Sequence, residues 1–153
     1  MRFPNNQDLE KISKCRGNII SDTVDVEISL EWRLRLYFFP KTSTKSSIFH
    51  DKVLTSLNFD KKISLYEKIP YFRRLKQYKK IKKSLRFVQK YRNAFAHWST
   101  IWFDNNKDEI VIYNRDLSKE IRINNENIIE FQKNVSLIVE TFKFTNYKGN
   151  WKL

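Results

Sequence analysis

Glycine and proline are scarce in this chain, two and three among 153 residues, which argues against a β-sandwich or any other fold built on many tight turns and in favour of helices. Cysteine occurs once, at Cys15. That excludes an intrachain disulfide and a multi-cysteine zinc site, and it suits a reducing compartment. No apolar run approaches membrane-spanning length and the stretch Met1 to Lys11 is polar, so neither a transmembrane helix nor a signal peptide is expected and the chain reads as cytoplasmic. His, Cys, Asp and Glu nowhere cluster at metal-ligand spacing, and no Gly-rich phosphate loop is present, so no metal and no cofactor are expected. Acidic residues are also in the minority. Seventeen Asp and Glu stand against thirty Lys and Arg, a formal net charge of +13, and the natural partner of such a chain is a polyanion.

Apolar material is ample: 41% hydrophobic residues with 12 Phe, 7 Tyr and 4 Trp. Residues 1–153 therefore suffice for a single domain with its own core. From about Leu9 to Phe39, apolar residues at helical spacing (Ile12, Ile19, Ile20, Val24, Ile28, Leu34) predict a long first helix, weakened near Gly17 so that it begins in earnest at Asn18. Lys41 to Ser47 is hydroxyl-rich and reads as a surface loop. A second helical region, possible as two short helices, spans about Asp51 to Ile69, with Asn58 or Asp60 as cap and Pro70 as stop. A third helix runs from about Arg73 to Trp98, where Leu75, Tyr78, Ile81, Leu85, Val88, Tyr91 and Phe95 draw one apolar stripe. Thr100 to Phe103, Ile110 to Tyr113 and Glu120 to Ile123 alternate in character and predict a β-hairpin or three-stranded insertion over about residues 100–123. Asn124 or Asn125 then caps a last helix to about Phe144, followed by a fraying tail from Lys148 to Leu153.

Between Ile69 and Phe103 there is no acidic residue, yet ten Lys and Arg fall in this stretch. Solvated helices ordinarily mix signs because like charges one turn apart repel, so an unrelieved basic face implies an anionic partner. On a helical wheel Lys79, Lys83, Arg86 and Lys90 share a face opposite the apolar stripe and are the candidate RNA-binding residues. Asn93 and His97, one turn apart, continue that face. Arg92 projects about 140° from His97 around the axis, so one helix alone makes a poor site.

Arg92-Asn93-Ala94-Phe95-Ala96-His97 has the RNxxxH form of the R-x4-6-H signature of HEPN (higher eukaryotes and prokaryotes nucleotide-binding) domains, and this part of the chain resembles the motif helix of that superfamily. The resemblance extends loosely from about Arg16 to Phe142 as an order of elements: a long helix, a Leu-x-Phe-x-x-Lys-Ile segment at Leu57 to Ile63, the motif helix and a closing helix. The β insertion is similar to that of the mannitol-repressor-like branch. What the resemblance implies is a mainly α, HEPN-like bundle of four to five helices. It also implies a homodimer whose two motif helices form one composite cleft, and cleavage of tRNA or other single-stranded RNA to 2′,3′-cyclic phosphate and 5′-OH ends. Such a protein would be the toxin of a toxin-antitoxin or antiviral module.

The residue types fit that chemistry. An imidazole titrating near neutrality can serve as general acid or base, a fixed guanidinium can hold charge on phosphoryl oxygens, and an amide can position either by hydrogen bonding. His97 and Arg92 are assigned the first two roles and Asn93 the third. Some toxin-type relatives carry, two residues after the histidine, a tyrosine that a partner nucleotidyltransferase modifies; here that position is Ser99. The alternative is a non-catalytic HEPN or mannitol-repressor-like regulator that binds nucleic acid or a protein partner through the same basic helix. His50 reads as a loop residue beside Asp51, and Glu27 and Glu31 as surface charges.

Overall fold

The computed structural model describes residues 1–97, 100–104 and 106–142. Helix α1 (Asn6–Phe38) opens on a capping box: Asn5 accepts the Asp8 backbone N–H while the Asp8 carboxylate accepts that of Asn5. It runs unbroken through Gly17, so the expected interruption is absent. A single exposed glycine costs a helix only about 1 kcal/mol against alanine, and the long run of helix on either side overrides it. The buried side of α1 consists of Ile12, Cys15, Ile19, Val26, Leu30 and Leu34, whereas Val24 and Ile28 are exposed. Burial pushes the Cys15 thiol up to about 12, because a thiolate cannot be solvated in that apolar setting.

The hydroxyl-rich segment expected as a loop is largely helical. Ser43 caps α2 (Thr44–Phe49) by accepting the Ser46 backbone N–H, and the buried Ser46 hydroxyl accepts from Arg35 Nε of α1 at 2.6 Å. The hydroxyl groups serve a cap and a buried bond here, not a solvated turn. The helix continues into one π-turn (His50–Leu54). Asn58 caps α3 (Phe59–Lys68). Pro70 then occupies the first turn of the short α4 (Pro70–Arg73), where its missing N–H costs nothing. The third helix is thereby divided, with Arg73 in α4 and α5 spanning Tyr78–His97.

Strands β1 (Thr100–Asp104), β2 (Glu109–Tyr113) and β3 (Glu120–Ile123) form an antiparallel meander in the order β1-β2-β3. Among the described residues its connections hold two non-glycine residues with positive φ, Asp108 at 48° and Leu117 at 58°. Arg2 exchanges two backbone hydrogen bonds of 3.1 Å with Phe103, so the N-terminal segment covers part of the outer edge of β1. Asn124 caps α6 (Asn125–Phe142) through the Asn127 N–H. The expected end of this helix near Phe144, and the tail beyond it, lie outside the described residues.

Helices α1, α5 and α6 pack on one another, with α3 against α1 and α5. Ile81, Leu85, Val88, Tyr91 and Phe95 of α5 meet Ile128, Phe131, Val135 and Ile138 of α6 in one core that includes Phe103, Ile110, Ile112, Ile121 and Ile123 of the sheet. Each such aliphatic or aromatic side chain contributes roughly 1.5–3 kcal/mol relative to exposure. The architecture is mainly α, with six α-helices among the described residues and a small sheet before the last of them. It fixes one face of α5 inward and leaves Lys79, Lys83, Lys90 and His97 of the opposite face exposed.

Candidate active site at the end of α5

The buried stripe of α5 sets the orientation of everything else on that helix. Ala94 and Phe95 are buried at its C-terminal end, so Arg92 and Asn93 are half-buried beside them and His97 is exposed. Arg92 Nη1 lies 3.1 Å from His97 Nε2 and donates to Asn93 Oδ1 at 3.2 Å. The three motif side chains therefore meet within one protomer, Arg92 bridging the separation of about 140° with its long side chain. The guanidinium has four torsions with which to curl across the helix end, and its fork reaches two partners with one nitrogen. A guanidinium can only donate, so in this arrangement Nε2 accepts and the ring proton sits on Nδ1. Trp98 and Ser99, next in the chain, lie outside the described residues.

The basic face divides into two kinds of cation. Lys79, Lys83 and Lys90 are exposed and form no ion pair among the described residues. Arg86, expected beside them as an RNA contact, points instead toward α3. Its Nε and Nη2 reach the two carboxylate oxygens of Glu67 at 2.9 and 2.7 Å, and Nη1 donates to Asp60 Oδ1 at 2.7 Å. The hydrogen bonds from Arg86 hold the Glu67 carboxyl below the usual carboxylate range, against a smaller effect of burial. The acid-free stretch is thus not acid-free in space: α3 supplies carboxylates from 19 and 26 positions earlier in the chain.

Two more departures concern the other charges. Glu31 is buried, Glu27 half-buried, and both bind the ammonium of Lys62, itself 2% exposed. His50 is not a loop residue; its Nε2 meets Glu31 Oε2 at 3.2 Å and its Nδ1 meets Asp51 Oδ1 at 2.8 Å. The cluster ties α1, α3 and the π-turn together. Charge alone gave no sign of it in the sequence, although Glu27 and Glu31 at one-turn spacing could have suggested a shared partner.

Where α3 ends and α5 begins there is a cleft of about 720 Å³ whose wall carries Lys68, Arg73, Lys76, Lys79 and Lys82. Arg73 Nε and the Tyr78 hydroxyl both donate to the Glu67 carbonyl, at 2.8 and 3.3 Å, which fixes the two walls to each other. Arg73, Lys76 and Lys82 belong to the basic run of the sequence, and nothing in its pattern singles them out. Among the described residues there is no group of three or more His, Cys, Asp or Glu able to hold a metal ion, and no helix long and apolar enough to cross a membrane. Comparison with protein-family models, with curated proteins and with solved structures finds no match to this chain.

Proposed function

We propose that this protein is a metal-independent endoribonuclease of the HEPN type, cutting tRNA or other single-stranded RNA as a homodimer, and that it is the toxin of a toxin-antitoxin or antiviral module with a nucleotidyltransferase-like antitoxin as a candidate partner. The observation that carries this reading is the convergence of Arg92, Asn93 and His97 at an exposed helix end, 3.1 and 3.2 Å apart, on the face that also bears the exposed Lys79, Lys83 and Lys90.

A phosphodiester entering this end competes for Arg92, because a charge-assisted bond to a phosphoryl oxygen is stronger than one to a neutral imidazole. Once Arg92 swings to the phosphate, the lone pair on His97 Nε2 is released to take the proton of the ribose 2′-OH. The 2′ oxygen then attacks phosphorus and the bond to the 5′ oxygen breaks. The 5′ oxygen collects a proton, leaving 2′,3′-cyclic phosphate and 5′-OH ends. Arg92 stabilises the charge that builds on the phosphoryl oxygens, and Asn93 holds Arg92 in reach. A second copy across a two-fold axis supplies a second Arg–His set, one to act as base and one as acid.

The same hydrogen bonds favour a second reading, a non-catalytic regulator in which Arg92 and His97 close the helix end and the lysines bind nucleic acid. Incubation of the purified protein with total RNA in EDTA separates the two. Cleavage reduced at least 100-fold by His97→Ala and by Arg92→Ala supports the enzyme. Intact RNA at high concentration of a confirmed dimer overturns it, and a loss of thermal stability without any change in RNA identifies the regulator.

A further inference from the structure

The cleft between α3 and α5 is remote from the motif. Lys79 to His97 is eighteen residues of continuous helix, about 27 Å at a rise of about 1.5 Å per residue. Lys79 belongs both to the cleft and to the outward row that passes through Lys83 and Lys90 to His97. We infer that this cleft is a phosphate-binding exosite, which holds the sugar-phosphate backbone of the same RNA strand whose scissile bond lies at Arg92 and His97. The inference rests on the ribonuclease reading for the second half of that statement only; the phosphate chemistry of the cleft stands on its own.

Three features support it. Five cations line one cleft, and the single carboxylate among its lining residues, Glu67, is already held by Arg86 at 2.9 and 2.7 Å. Gathering like charges around one space is unfavourable unless anions enter it. The walls are built, not merely decorated, since Arg73 and Tyr78 are both anchored to the Glu67 carbonyl. The volume, about 720 Å³, is within the range of about 300–1,000 Å³ typical of ligand clefts and admits more than one phosphate. A strand accounts for the feature better than a free nucleotide does, because a lysine row leads out of the cleft along α5, as the cationic grooves that track single strands do. At about 3.4 Å per stacked nucleotide, the distance to His97 corresponds to about eight nucleotides.

The test uses the full chain carrying His97→Ala, so that strands stay intact, and adds Lys68→Gln, Lys76→Gln and Lys82→Gln together. All three lysines are exposed and make no hydrogen bond or ion pair among the described residues, so the fold should be retained. Binding of labelled single-stranded RNAs of four, eight and twelve nucleotides is titrated at several salt concentrations. The expected result is an affinity for the 12-mer that falls about ten-fold or more on substitution. The slope of log affinity against log salt should become shallower by about 2, from about 0.7 per lost phosphate contact. Parental affinity should rise with length up to about eight nucleotides. An unchanged 12-mer affinity overturns the inference, as does a length dependence that stops at four. ATP that binds as tightly as the 12-mer also overturns it, by assigning the cations to a free nucleotide. Binding is read without catalysis, so failure here leaves the EDTA cleavage assay untouched, and failure of that assay leaves this result interpretable.

Discussion

Two sets of charges in this protein are treated in opposite ways. Lys62 and Arg86 are each matched by carboxylates from another helix: Glu27 and Glu31 in the first case, Glu67 and Asp60 in the second. Along the outer face of α5, Lys79, Lys83 and Lys90 are matched by nothing within the described residues. The first kind of charge orients helices; the second leaves a field directed at solvent. Net charge alone cannot distinguish them, and the difference identifies which basic residues are available to an anionic partner.

The contrast can be broken most severely at Lys62. Lys62→Met keeps the side-chain bulk and removes the ammonium shared by Glu27 and Glu31, so urea unfolding should show a loss of about 3–5 kcal/mol, part of which Glu31→Gln in the same chain restores. Arg86→Ala comes next, at roughly 1–3 kcal/mol, since it removes charge-assisted bonds from a half-buried glutamate. The pH dependence carries the same signature. Because the folded protein holds Glu67 below its ordinary 4.5, its contribution is complete above that value and is lost as pH falls through the folded value. Unfolding followed from pH 6 to pH 3 should therefore show a steeper loss in the parent than in Arg86→Ala.

A smaller effect of opposite sign is expected at Gly17, where nothing lies within 4 Å of an added Cβ. Gly17→Ala should raise stability by roughly 0.5–1 kcal/mol, measurable as a higher midpoint in urea. The smallest change in stability belongs to the unpaired row: Lys79→Gln, Lys83→Gln and Lys90→Gln should each stay within about 0.5 kcal/mol. Combined, they should weaken RNA binding and reduce its salt slope by about 2. A large stability loss from these three, or a negligible one at Lys62, would erase the distinction.

What could be read without coordinates follows the same division. The apolar stripes of α5 and α6 and the alternation in the three strands were legible, because periodicity reports which side faces the core. The break at Arg74 to Gln77 was not, as no glycine or proline marks it. Nor was the helix at Thr44–Phe49, whose Ser43 and Ser46 resemble loop residues until Arg35 is brought against them. In α1, Val24 and Ile28 fit a helical repeat but lie outside, because α1 is polar enough on its buried side, at Asp22, Thr23, Ser29 and Glu31, to confuse a purely apolar pattern. At the candidate site, the composition of the motif and its face were visible. The reach of Arg92 to His97 depends on side-chain torsions that a helical wheel ignores, and the loss of Arg86 to Glu67 depends on a helix packed from elsewhere.

Cys15 lends itself to measurement. It is the one thiol of the chain, 2% exposed and raised to about 12 by burial, so a maleimide or disulfide reagent can label it only in molecules whose α1 has come away from the core. The labelling rate is thus a clock for opening events, read in the native buffer and in the presence of RNA. A strand that binds only along α5 in the folded state slows that clock in proportion to its occupancy.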